Sequence, residues 1–155
     1  MKDYFYSRFT IKTNGKAISL ANGTKSTVTD GTYLIDDVID FIFEYSVPIK
    51  LAYRMLPRSE SRFQFNCLKH RRCVVCGRKA DVHHIDEIGM GRDRTKIDHT
   101  KHHLMALCRT HHTELHQVGK QVFGERYKLT MTGIKASKEL LKQINVKGRC
   151  DDKNQ

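Results

Sequence analysis

The chain contains no tryptophan, only two prolines and 8% aromatic residues, so a large aromatic core is not available to it. With 39% hydrophobic residues over 155 positions, one modest domain, or a small module with an appendage, is within reach. A core of that size would gain from a staple. Acidic residues are scarce as well, with 17 Asp and Glu against 28 Lys and Arg, a formal net charge of +11. Long apolar runs are missing: the longest patch, near Val38–Phe43, is interrupted by Asp40 and far too short to span a bilayer. The opening MKDYFYSRF lacks the apolar segment that follows the charges of a signal peptide. These absences predict a cytoplasmic protein with no membrane partner.

The positive excess is uneven. Residues 67–155 carry 19 basic and 10 acidic side chains, whereas 1–66 carry 9 and 7. A basic surface of this kind most often meets a polyanion, nucleic acid above all, with simple solubility as the plain alternative. Composition turns basic and rich in His and Cys near residues 66–72, which places a boundary there. The expected organisation is an N-terminal appendage over 1–66, a core over 67–130, and a C-terminal helix with a polar tail over 131–155. No internal repeat is visible.

Within the appendage, Phe5, Phe9 and Ile11 fall at odd positions and Asn14-Gly15 is a strong hairpin signal, so residues 1–28 read as short strands. From Tyr33 the period becomes helical through Leu34, Ile35, Val38, Ile39, Ile42 and Tyr45, with Thr32 as a cap and Asp36 and Asp37 in the first turn. Pro48 ends that helix by Val47. A second helix is expected over SESRFQFNCLKH, then a turn at Cys73–Gly77, a strand over Ala80–Ile85, a Gly- and charge-rich loop over 88–102, an apolar run at Leu104–Leu107 and a helix from about Arg109. A final helix is expected near Ser137–Ile144.

Cysteine is present in odd number, at 67, 73, 76, 108 and 150, which argues against a disulfide framework. Cys73-x-x-Cys76 and Cys108-x-x-His111 instead have the spacing of two zinc knuckles. Four such ligands close a zinc tetrahedron and leave no open position, so this site is read as structural. His112 in place of His111 is an alternative fourth ligand. Cys67 reads as a small buried residue, and Cys150 carries no assigned role.

Eight of the nine histidines lie between residues 83 and 116. Successive helical residues are about 100° apart, so His111 and His112 diverge, while i,i+3 and i,i+4 partners share a face. Cys108 and His111 therefore point together, and His112 and His116 point together on a neighbouring face. The second pair, with the His83-His84 dipeptide, suits a catalytic divalent ion that keeps positions open to substrate. Taken alone, either pair reads equally well as solvated surface histidine.

CVVCGRKADVHHIDEIGMGRDR and HHLMALCRTHHTELH resemble the HNH endonucleases, most closely those of temperate phages of Gram-positive bacteria. The resemblance implies an α+β fold with a zinc-stapled ββα-metal core, covering roughly residues 67–130 and more loosely Ile35–His70. By position it implies His83 as metal ligand and His84 as general base. His103 stands where the family usually has the Asn that orients the base, with His102 as the off-by-one alternative. His112 and His116 complete the catalytic-ion set. The implied activity is hydrolysis of DNA, double-stranded most naturally, to 5′-phosphate and 3′-hydroxyl ends. The implied cofactors are Zn2+ and one of Mg2+, Mn2+ or Ni2+. For a phage enzyme the compartment would be the host cytoplasm, as monomer or homodimer. Arg92, Arg94 and Lys96 are candidates for clamping flanking phosphates, and Arg109 is open between phosphate contact and plain surface. A zinc-stapled DNA-binding module without catalysis is the alternative function, and a protein-interaction adaptor a third.

Overall fold

A computed structural model describes residues 1–47, 61–86 and 97–147. The chain divides into two compact units, Met1–Pro48 and Ile49–Gln155.

The first unit is helical. Helix α1 spans Lys2–Lys12 and α2 spans Val28–Glu44. The expectation of strands over residues 1–28 is corrected by α1: Phe5 and Phe9, four apart, are buried together, while Ile11 is exposed. Asn14 and Gly15 both adopt positive φ, and the Gly15 N–H bonds the Thr10 carbonyl at 2.8 Å. The dipeptide thus terminates a helix rather than turning a hairpin. Helix α2 begins five residues earlier than Tyr33, because Thr27 and Asp30 form a reciprocal capping box. Phe5, Phe9, Ile18 and Leu34 make the core, with Tyr6, Val38 and Phe41 packed on it. Two buried carboxylates of α2 are each matched by cations. Arg8 grips Asp37 through Nε and Nη2 at 3.0 Å each, joined by Lys12, and Lys16 reaches Asp30 at 2.7 Å.

The second unit is α+β. Helix α3, Ser61–Lys69, buries Phe63, Gln64, Asn66, Cys67 and Leu68 and packs on strand β2 and the short strand β3 described below. The residues just before the boundary expected at 66–72 therefore belong to this unit. A tight turn follows, in which the Gly77 N–H bonds the Cys73 carbonyl at 2.8 Å and Gly77 takes φ 72°. Strand β1 is Asp81–His84, β2 is His103–Leu107 and β3 is Ile134–Lys135, an antiparallel sheet in the order β1-β2-β3 among the described residues. His83 pairs with Met105 and His84 with Leu104. Leu104, Met105, Ala106 and Leu107 are essentially inaccessible to solvent, so β2 is the spine of the unit.

Helix α4 spans Arg109–Tyr127 and is broken at Gly119, whose φ of 80° and ψ of 164° lie outside the helical region. Beyond the break the chain folds back. The Tyr127 hydroxyl donates to Glu114 at 2.7 Å, and Arg126 pairs with the same carboxylate. Helix α5, Lys138–Gln143, is capped by the Ser137 side chain and buries Leu140 and Leu141. The 88–102 loop expectation falls largely outside the described residues; its end forms a single 3-10 turn at His99–Lys101. Among the described residues no helix is long and apolar enough to cross a membrane.

Candidate metal centres and nuclease site

Two ligand clusters meet at the first turns of α4, one completed by the Cys73–Gly77 turn and the other by β1. Cys73, Cys76, Cys108 and His111 bring one donor atom each within 4.8 Å of the others, and so do His83, His112 and His116.

In the first cluster, Cys76 Sγ lies 3.8 Å from Cys108 Sγ, and His111 Nδ1 lies 3.4 Å from Cys73 Sγ and 3.2 Å from Cys108 Sγ. A tetrahedral zinc with Zn–S of about 2.3 Å has a sulfur–sulfur edge of roughly 3.8 Å, so the donor set fits that ion as it stands. The turn ending at Gly77 presents the first two sulfurs, and Cys108, at the N-cap of α4, presents the third. The thiols are electrically unequal. Cys76 is pulled down, first by its hydrogen bond with the Cys73 sulfur and against the opposing effect of burial. Cys73 is pushed up by the same pairing and by its own burial. Zinc takes its sulfur ligands as thiolates, so binding at this knuckle would release protons. The rings of Tyr127 and Phe123, on the folded-back half of α4, lie 5.2 and 6.4 Å from that of His111.

In the second cluster, Nε2 of His112 and Nε2 of His116 are 3.2 Å apart. The His83 ring lies 4.6 Å from that of His112 and 5.2 Å from that of His116. An ion held at 2.0–2.1 Å by two imidazoles separates them by roughly 3.3 Å in tetrahedral geometry, so these nitrogens also fit. His83 is buried, and burial first, then the neighbouring His112 and His116, lower its pKa to about 4. It therefore offers a neutral lone pair at physiological pH. His116 is exposed and His112 half-buried, which leaves this cluster open on one side where the first is largely enclosed by the fold.

Strand alternation turns His84 away from His83. Its Nε2 lies 2.8 Å from Nδ1 of His99, a buried residue of the 3-10 turn. His103 meets Asp86: the carboxylate accepts from the His103 backbone N–H at 2.6 Å and from its Nδ1 at 2.9 Å. Those hydrogen bonds, the backbone one foremost, hold the Asp86 carboxyl below its ordinary range. Arg109 is largely exposed, 3.7 Å from Asp81. Arg92, Arg94 and Lys96, with Cys150, lie outside the described residues. His99 and Asp86 were not singled out from the sequence. Asp86 sits two residues after the histidine pair, a place the motif itself could have flagged, whereas nothing local distinguishes His99 from the other histidines.

A β-hairpin followed by a helix, with a thiolate-rich cluster and a separate imidazole cluster at their junction, is the arrangement of an HNH-type nuclease. Residues 9–147 match the family described as "Putative HNHc nuclease", and the chain belongs to that family. No curated protein and no solved structure matches the chain.

Proposed function

We propose that the protein is a metal-dependent HNH endonuclease that hydrolyses DNA phosphodiester bonds, encoded by a phage. The observation that carries this reading is the convergence of His83, His112 and His116, apart from the cysteine cluster. Cys73, Cys76, Cys108 and His111 would hold zinc as a staple, and the three imidazoles would hold one divalent ion. That ion supplies a Lewis-acid centre for charge developing on the phosphate and the departing 3′ oxygen. His84 takes the proton from the attacking water, a task matched to an imidazole near neutral pH. His103, anchored by Asp86, holds the start of β2 opposite the end of β1. The basic half of the chain attracts the polyanion before any chemistry begins.

The test is supercoiled plasmid incubated with Mg2+, Mn2+ or Ni2+, wild type beside His84→Ala. Wild type is expected to nick or linearise the plasmid, and the variant to bind it without cutting. Wild type that binds DNA and cuts with none of the ions would replace this reading with a zinc-stapled binding module.

A further inference from the structure

Asp81 opens β1 between two guanidinium groups and binds neither closely. Arg109 Nη2 lies 3.7 Å from one carboxylate oxygen, and Arg71 Nη2 lies 3.9 Å from the other. A committed pair in this protein is tighter: Arg8 grips Asp37 at 3.0 Å. Charge-assisted hydrogen bonds to an oxyanion close to about 2.7–2.9 Å, so neither is made at Asp81, and both guanidinium groups keep donors for another anion. Arg71 is held in place by the fold, since Nε donates to the Ala80 carbonyl at 3.1 Å and Nη1 to that of Ile144 at 3.0 Å. Arg109 is 82% exposed at the start of α4. Lys79, exposed and two residues before Asp81, extends the same edge, its backbone bridged to that of Arg72. Cations outnumber the one carboxylate here.

We propose that this edge, Arg71, Lys79 and Arg109 around Asp81, is a binding face for DNA backbone phosphates that flank the bond to be cut. What it flanks rests on the nuclease reading. Asp81 stands two residues before His83 on β1, and Arg109 three before His112 on α4, so the face lies about 5–7 Å along each element from the imidazole cluster. That is roughly two steps of a DNA strand, at about 3.4 Å of axis per phosphate. The cysteine cluster assembles the face: Cys76 lies against Cys108, so the segment Arg71–Lys79 meets the residue that follows Cys108. Charge also locates the face on this unit. Met1–Pro48 carries 5 basic and 6 acidic residues, so the chain's excess of +11 lies wholly elsewhere. Contacts of this kind hold the backbone in place and read no sequence. Asp81 opposes the incoming phosphate, so its negative charge limits the affinity of the face.

The test is fluorescence anisotropy of a labelled DNA duplex with the zinc-loaded full chain and no other divalent ion, over a salt series. Lys79→Ala/Arg109→Ala is expected to weaken binding about 10-fold and to lower the salt slope by about 2, equally for unrelated sequences. Lys25→Ala/Lys142→Ala removes the same charge from exposed sites elsewhere and is expected to change the slope much less. Asp81→Asn is expected to bind more tightly than wild type. A Lys79/Arg109 variant that binds as the Lys25/Lys142 variant does overturns the proposal, as does an Asp81→Asn protein that gains no affinity. Should the Lys79/Arg109 variant fail to fold, Asp81→Asn still decides. Plasmid cleavage is scored separately: wild type that binds through this face and never cuts removes the nuclease reading and leaves the face standing.

Discussion

Asp86 accepts two hydrogen bonds from one residue, the backbone N–H and the ring Nδ1 of His103. The two bonds are lost separately. His103→Ala removes only the ring bond, whereas Asp86→Ala removes both and strands a backbone donor at the start of β2. We expect His103→Ala to cost about 1 kcal/mol and Asp86→Ala about 1–3 kcal/mol, measured by urea denaturation. Nuclease activity should fall much less in His103→Ala than in His84→Ala, which is expected to lose about 100-fold or more in kcat. Equal losses would place His103 in the proton-transfer step.

The two histidines at 111 and 112 should fail in different ways. His111→Ala is expected to purify without zinc and to broaden the thermal transition of the second unit. His112→Ala should keep one zinc per chain and its melting temperature while losing plasmid cleavage. Elemental analysis of the purified variants, beside a melting curve, separates the two outcomes. Interchanged phenotypes would exchange the assignments.

Removing the staple should unfold the unit rather than loosen it. Binding energies of structural zinc sites are on the order of 10 kcal/mol, which exceeds the net stability of many small domains. Cys76→Ser, or a strong chelator added to wild type, is therefore expected to abolish the cooperative transition of residues 61–147 by circular dichroism. A metal-free protein that still melts cooperatively would show that hydrophobic burial suffices.

Gly133 enters β3 with φ of 68°, and a Cβ there would lie 2.9 Å from Ile85 Cγ1 and 3.0 Å from the Leu104 carbonyl oxygen. The carbonyl belongs to the β2 spine and cannot yield. Gly133→Ala should destabilise the unit by about 1–3 kcal/mol, read as a lower urea midpoint with an unchanged slope. An unchanged midpoint would mean that β3 contributes little.

Acid should weaken the first unit through Asp30. Lys16 first, then the Thr27 backbone N–H, lower its carboxyl from 3.8 to about 2. A group with a depressed pKa in the fold contributes stability that is fully present above its unfolded value and disappears as pH falls through the folded one. The contribution should thus fade between about pH 4 and pH 2. Lys16→Met should move the loss of helical signal to higher pH; coincident acid transitions would remove Asp30 from the account.

Much of the second unit was legible because its cues are chemical and local. The knuckle spacing, the His pair and the 100° helical step predict two clusters that share the start of α4. The first unit was opaque where one signal serves two structures. Phe5 and Phe9 satisfy both strand alternation and the helical i,i+4 spacing, and Asn14-Gly15 favours positive φ whether it closes a hairpin or ends a helix. The start of α2 is written in Thr27-x-x-Asp30, which lies outside the apolar period that begins near Tyr33. His99 and Asp86 acquire their partners only through tertiary placement, since His99 reaches across 48 residues to Lys147.

The pairing of β1 with β2 has a consequence for how this site can break. His83 and His84 are neighbours in sequence yet belong to different neighbourhoods, one against α4 and one against His99, solely because a strand alternates its faces. A slip of one residue in that ladder would exchange them. Both histidines would survive in the sequence, the zinc knuckles would still be intact, and composition would be unchanged. A single inserted or deleted residue between Ala80 and His83 is thus the smallest lesion that could disarm the protein while leaving every motif in view.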